Sequence, residues 1–260
     1  MYLAYTCGMS EELLQLKNIS KRYGKQTALN NVSFSIERGH VYGFVGENGA
    51  GKTTTLRIIT GLAKQTSGKL ELFGANENKT LSQSRKHIGC MIEHPVFDGA
   101  LDAAENLRLY ALLYGIRDFS KIPELLVRTG LADTGSKKVR DFSMGMKQRL
   151  GIAAALISSP ELLILDEPVN GLDPLGMINV RKLLSSLSKD DGITILLSSH
   201  ILSELQELAT DYIFISSGKI LNTVSAQEVI SKGQSLEQYY LSLFGDDCAS
   251  GGLTQEAHHE

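Results

Sequence analysis

The sequence predicts an α/β protein: a parallel sheet with flanking helices, joined by an antiparallel β subdomain and an inserted helical subdomain. Three observations carry that expectation. First, Val41-Tyr42-Gly43-Phe44-Val45 is a short apolar run, followed by a glycine-rich turn (46–54) and a helical stretch (55–61). Second, Leu162-Leu163-Ile164-Leu165 is a continuous apolar run and residues 193–197 are apolar but for Thr194, and both end in polar residues, as strands buried on both faces do. Third, residues of about 94–160 read as mostly helical, an insertion into the alternating chain.

In chain order, residues 13–19 and 32–36 alternate like half-buried strands. The stretch between them, Lys21-Arg22-Tyr23-Gly24-Lys25, reads as a turn with one aromatic. Tyr23 suits either a core position in a β-layer or a flat surface for stacking a base, and its chemistry leaves both open.

Gly46-Glu47-Asn48-Gly49-Ala50-Gly51-Lys52-Thr53-Thr54 fits G-x-x-x-x-G-K-[ST] between a strand and a helix, the context of a P-loop. Gly46, Gly49 and Gly51 let the backbone wrap closely around a phosphate, and the N–H groups of the following helix point at it. Lys52 suits the β/γ-phosphates and Thr53 a magnesium ion. The chain is therefore expected to bind a nucleoside triphosphate.

Beyond it, residues 67–74 and 86–92 read as strands, the latter ending at Glu93-His94-Pro95. Helical spacing appears over 102–114 (Leu107, Tyr110, Ala111, Tyr114) and 122–129, with Pro123 in a first-turn position. Ser143 is a good N-cap for a helix whose inward face is Leu150, Ala153, Ala154 and Ile157. The strand that follows ends in Asp166-Glu167-Pro168. Asp166 is placed to hold Mg²⁺ through water, and Glu167 to polarise the attacking water as a general base. His200, after the strand 193–197 and Ser198-Ser199, suits a γ-phosphate contact. Residues 212–215 and 219–221, joined through Ser217-Gly218, resemble a hairpin, with short helices at about 226–232 and 235–244.

Bulk properties set limits. At 260 residues, 42% hydrophobic and 21% charged, the chain can bury a sizeable core. A formal net charge of −3 supplies no basic excess of the kind nucleic acid attracts. Cys7, Cys90 and Cys248 have no metal-ligand spacing and read as reduced thiols, with Cys90 in the core. No apolar run approaches the ~20 residues of a membrane-spanning helix. Residues 1–8 lack the charged and apolar regions of a secretory signal, and Met9 reads as an alternative start. The protein is expected to be soluble and to reach a membrane through a partner.

Taken together, these motifs resemble the nucleotide-binding ATPase subunits of ABC transporters over about residues 13–243. The most specific match is Phe142-Ser143-Met144-Gly145-Met146-Lys147-Gln148, which looks like the signature that other P-loop enzymes lack. The resemblance implies a RecA-like P-loop NTPase core, ATP with Mg²⁺, and hydrolysis involving Lys52, Glu167 and His200, the last as switch histidine. It implies that Tyr23 and residues Gly46, Glu47, Asn48, Gly49, Ala50, Gly51, Lys52, Thr53 and Thr54 hold the nucleotide. Asn170-Gly171-Leu172-Asp173 resembles the D-loop, Asp173 included. It further implies a head-to-tail dimer, with itself or a sister ATPase, in which Ser143, Gly145 and Gln148 contact the partner subunit's ATP.

Membrane-spanning permease subunits and a cytoplasmic position on the inner face of the membrane are implied too. The ATP-binding domain is expected over 11–245, between a flexible extension (1–10) and a disordered tail (246–260). Glu93 stands where the family usually has a glutamine that touches metal and couples to the permease. A carboxylate there adds negative charge beside the triphosphate, which argues against a metal role while leaving the coupling role. Ile92-Glu93-His94-Pro95 and the signature look most like the bacitracin-resistance and lantibiotic-immunity branch, exporters of peptide antibiotics or related hydrophobic compounds. A soluble ABC-type ATPase acting on ribosomes or nucleic acid is the competing class. One P-loop, no heptad array and no basic patch argue against it, and both acids argue against a regulatory subunit that cannot hydrolyse.

Overall fold

Alternation of buried and exposed side chains builds the first layer. The computed structural model describes residues 12–93 and 95–244. β1 (Glu12–Tyr23) pairs antiparallel with β2 (Gln26–Glu37) on one side and β4 (Ser67–Leu72) on the other. Both long strands outrun the sequence expectation. Lys21, Arg22 and Tyr23 continue the ladder opposite Leu29, Thr27 and Gln26, so the turn shrinks to Gly24-Lys25.

The second sheet has six strands: β3 (Val41–Val45), β5 (Ile88–Met91), β6 (Leu162–Asp166), β7 (Thr194–Ser199), β8 (Asp211–Ser216) and β9 (Lys219–Ser225). Their order is β5-β6-β7-β3-β8-β9, parallel throughout except for the β8–β9 hairpin. Ser217 and Gly218 at the hairpin tip both have positive φ, 47° and 73°, as a tight primed turn requires. Side chains point alternately to the two faces. Tyr42, Phe44, Leu162 and Ile164 join the core beneath the β1 layer, while Val41, Val45, Leu163 and Leu165 join the core beneath the helices. Continuous apolar runs are thus explained by burial on both sides.

Nine α-helices cover the sheets within the described residues. α1 (Lys52–Thr60) follows β3, and α2 (Asn78–Ser84) precedes β5. The insertion holds α3 (Ala103–Leu113), α4 (Ile122–Arg128) and α5 (Met144–Leu156), packed on one another. α3 starts with a capping box between Asp102 and Glu105. Between α4 and α5 the chain makes turns and two single-turn 3₁₀ segments, so the insertion is less helical than expected. The sequence reading assigns no element to α6 (Pro174–Lys189), α7 (Leu202–Gln206) or α2, whereas α8 (Ala226–Ser231) and α9 (Leu236–Ser242) match it. No helix among the described residues is long and apolar enough to cross a membrane. The expected extension (1–10) and tail (246–260) lie outside the described residues.

Candidate nucleotide site

The loop between β3 and α1 lies at the carboxyl end of the parallel sheet, where ligands of open α/β sheets bind. Gly46 passes so close to the β8 backbone that a Cβ would lie 2.3 Å from the Ile215 carbonyl oxygen. Gly51 has φ 111° and serves as the N-cap of α1 with no side-chain cap. The β8–β9 turn braces the loop, with the Gly218 N–H donating to the Ala50 carbonyl at 2.9 Å. Among the described α-helices, α1 and α5 alone carry no acidic residue at the N-cap or in the first turn; α2 and α6 are capped by Glu77 and Asp173, and the other five carry a glutamate in the first turn. Two helix starts therefore keep their positive ends unneutralised, which suits phosphate.

Strand order decides which side chains meet. β7 separates β3 from β6, so the ends of three strands converge at the loop. The buried Lys52 ammonium donates to the carbonyls of Gly46 at 2.5 Å and Glu47 at 3.2 Å, and lies 3.4 Å from Glu167 Oε1. Thr53 Oγ1 donates to Asp166 Oδ2 at 2.8 Å. Ser198 Oγ donates to Asp166 Oδ1 at 2.5 Å and accepts the Glu167 backbone N–H at 2.9 Å. His200 Nδ1 sits 2.8 Å from Glu167 Oε2. Glu93, Gln148, Asp166, Glu167 and Asn170 line one open cavity of about 360 Å³.

The other expected residues spread further. Tyr23 is 47% exposed at the hairpin tip, with the Lys21 ammonium 4.6 Å over its ring, so the core alternative fails. Ser143 caps α5 by accepting the Met146 N–H and is exposed, with Gly145 partly so. Gln148, expected beside the partner subunit's ATP, is buried and lines a cavity of its own chain, because the helical turn that exposes the start of α5 carries it inward. Asp173 caps α6 by accepting the Gly176 N–H at 2.8 Å. Burial pushes the Cys90 thiol up, away from thiolate reactivity, in keeping with a core role.

Ser198 escaped the sequence reading. Its signal was a hydroxyl at the end of an otherwise apolar strand, where a neighbouring carboxylate must find donors.

A hydroxyl and one carboxylate are hard oxygen ligands. They suit Mg²⁺, which takes few protein ligands and keeps its other positions for phosphate and water. No cluster of three His, Cys, Asp or Glu side chains among the described residues has metal-binding geometry.

Fold and site define an ATP-hydrolysing enzyme of the P-loop class. The chain belongs to the ABC transporter family, whose model matches residues 29–170. It is 43% identical over 230 residues to the bacitracin transport ATP-binding protein BcrA of Bacillus licheniformis, covering 88% of this chain and 75% of that one. It is 44% identical over 209 residues to the lantibiotic transport ATP-binding protein SrtF of Streptococcus pyogenes, covering 80% and 89%. Among solved structures it resembles the ATP-binding cassette MJ0796, a dimer in a post-hydrolysis state bound to ADP and Pi. That match has a TM-score of 0.74 and 26% identity, over 82% of this chain and 99% of that one.

Proposed function

We propose that this chain is the ATP-hydrolysing subunit of a membrane exporter of peptide antibiotics or related hydrophobic compounds. The observation that carries the reading is the convergence of Lys52, Thr53, Asp166, Glu167 and His200 at one end of the sheet. The names of the relatives, bacitracin and lantibiotic transport ATP-binding proteins, support the cargo class.

In this reading Lys52 leaves its loop carbonyls for the β/γ-phosphates, and Tyr23 stacks on the adenine. Glu167 takes a proton from the attacking water, while His200 holds the Glu167 carboxylate and reaches the γ-phosphate. Thr53 and Asp166 would hold Mg²⁺, which when bound neutralises charge developing on the phosphate oxygens. Ser143 and Gly145, exposed at the start of α5, cap the triphosphate held by a second copy or a sister ATPase, with Asp173 beside the junction. Closing and opening of that dimer drives membrane-spanning subunits on the cytoplasmic side, with Glu93 at the coupling loop.

A tagged chain recovered from detergent-solubilised membranes of its host tests this. One or two polytopic subunits are expected to copurify. Recovery only from cytosol, alone or with ribosomes or nucleic acid, would overturn it.

A further inference from the structure

Glu93 and Glu167 occupy equivalent places on neighbouring strands. Met91 of β5 pairs in parallel with Leu165 of β6, so the two glutamates stand two residues beyond the same rung. Both have left-handed backbones, φ 63° and 50°, which is uncommon outside glycine. Both line the cavity that Asp166 lines. Three carboxylates in one cleft repel one another and repel a triphosphate.

Each is balanced differently. Asp166 accepts from the hydroxyls of Thr53 and Ser198, Glu167 has Lys52 at 3.4 Å, and Glu93 is ion-paired with the guanidinium of Arg57. Arg57 lies four residues past Thr53 on α1, hence on the same face one turn along. One helix thus carries the hydroxyl that serves Asp166 and the cation that serves Glu93. The Arg57–Glu93 pair joins α1 to the segment after β5, and both partners are partly exposed.

We infer that Arg57 is a positioning residue: it holds the Glu93 carboxylate away from the triphosphate and its metal ion, leaving Asp166 as the carboxylate on the metal side. The role exists because position 93 is acidic, since a neutral amide there would need no counter-charge. The inference rests on the reading of Thr53 and Asp166 as the magnesium side of the site.

The test is binding, without turnover. Affinity for a fluorescent ATP analogue is measured in EDTA, and Mn²⁺ binding to the complex with a non-hydrolysable ATP analogue is followed by electron paramagnetic resonance. Arg57→Gln is expected to weaken metal-free nucleotide binding about fivefold, as one uncompensated charge in a half-exposed cleft would, and to tighten Mn²⁺ by a similar factor. Arg57→Gln with Glu93→Gln should return both constants to wild-type values, and Arg57→Lys should stay near them. Unchanged constants in Arg57→Gln, or a double variant as impaired as the single one, would overturn the inference. Asp166→Asn is the control. If it leaves Mn²⁺ binding intact, the magnesium assignment fails and the inference with it; if it abolishes binding while Arg57→Gln is silent, the inference alone fails.

Discussion

Ser198 donates to Asp166 and accepts the backbone N–H of Glu167, so one hydroxyl near the end of β7 ties the Asp166 carboxylate to the backbone that carries the second acid. With Thr53 donating to the other oxygen, both oxygens of this buried carboxylate are engaged and its plane is fixed. A hydrogen bond to a charged group contributes about 1.5–3 kcal/mol. Ser198→Ala is therefore expected to lower the melting temperature by roughly 3–10 °C. It should also slow ATP turnover about tenfold or more, because a misplaced acid loses its geometry. Calorimetry and a phosphate-release assay check both, and wild-type values would remove Ser198 from the site.

Lys52 is held by two loop carbonyls and faces Glu167, a cation kept in place by its own loop. Lys52→Ala should weaken ATP binding about 10–100-fold, the loss of one or two charge-assisted hydrogen bonds. Titration with a fluorescent nucleotide measures it. Unchanged affinity would move the phosphate contact elsewhere.

Glu167→Gln keeps the shape of the side chain and the approach of His200 while removing the base. Turnover should fall about 10²–10⁴-fold with nucleotide affinity retained. Size-exclusion chromatography with ATP should then show a trapped dimer. Hydrolysis at the normal rate would assign the base to another group.

Ser143→Arg removes an N-cap and places a bulky cation on the exposed start of α5. The cap loss costs about 1 kcal/mol, small enough for the monomer to fold. The ATP-dependent dimer of the Glu167→Gln background should disappear when the two changes are combined. A dimer that persists would show that this helix start does not cross the interface.

Much of this was legible because buried strands and a glycine turn leave local marks. β3, β6 and the P-loop announce themselves through unbroken apolar runs and required glycines, and Ser143 through its place before a helical period. α6 should have been legible too. Asp173-Pro174 is an N-cap followed by a first-turn proline, and Val180, Leu183, Leu184 and Leu187 keep helical spacing. Its serines and lysines diluted that period. What local pattern could not supply was strand order. Ser198 matters only because β7 lies beside β6, and Gln148 turns inward only because α5 packs over β5. The Arg57–Glu93 pair likewise spans thirty-six residues of sequence.

The position of β3 also has a consequence for synthesis. Its neighbours in the sheet are β7 and β8, residues 194–199 and 211–216, so both edges of this strand are paired by chain made long after it. A ribosome that has just released Asp166 carries a complete P-loop sequence on a strand with neither native neighbour. The segment matched by the family model, 29–170, contains neither of them. Such long-range pairing is slow to form and leaves strand edges open meanwhile. Nucleotide can therefore act as a folding ligand only once translation has passed residue 216, and a fragment ending before β7 leaves β3 without either neighbour to hold the P-loop in place.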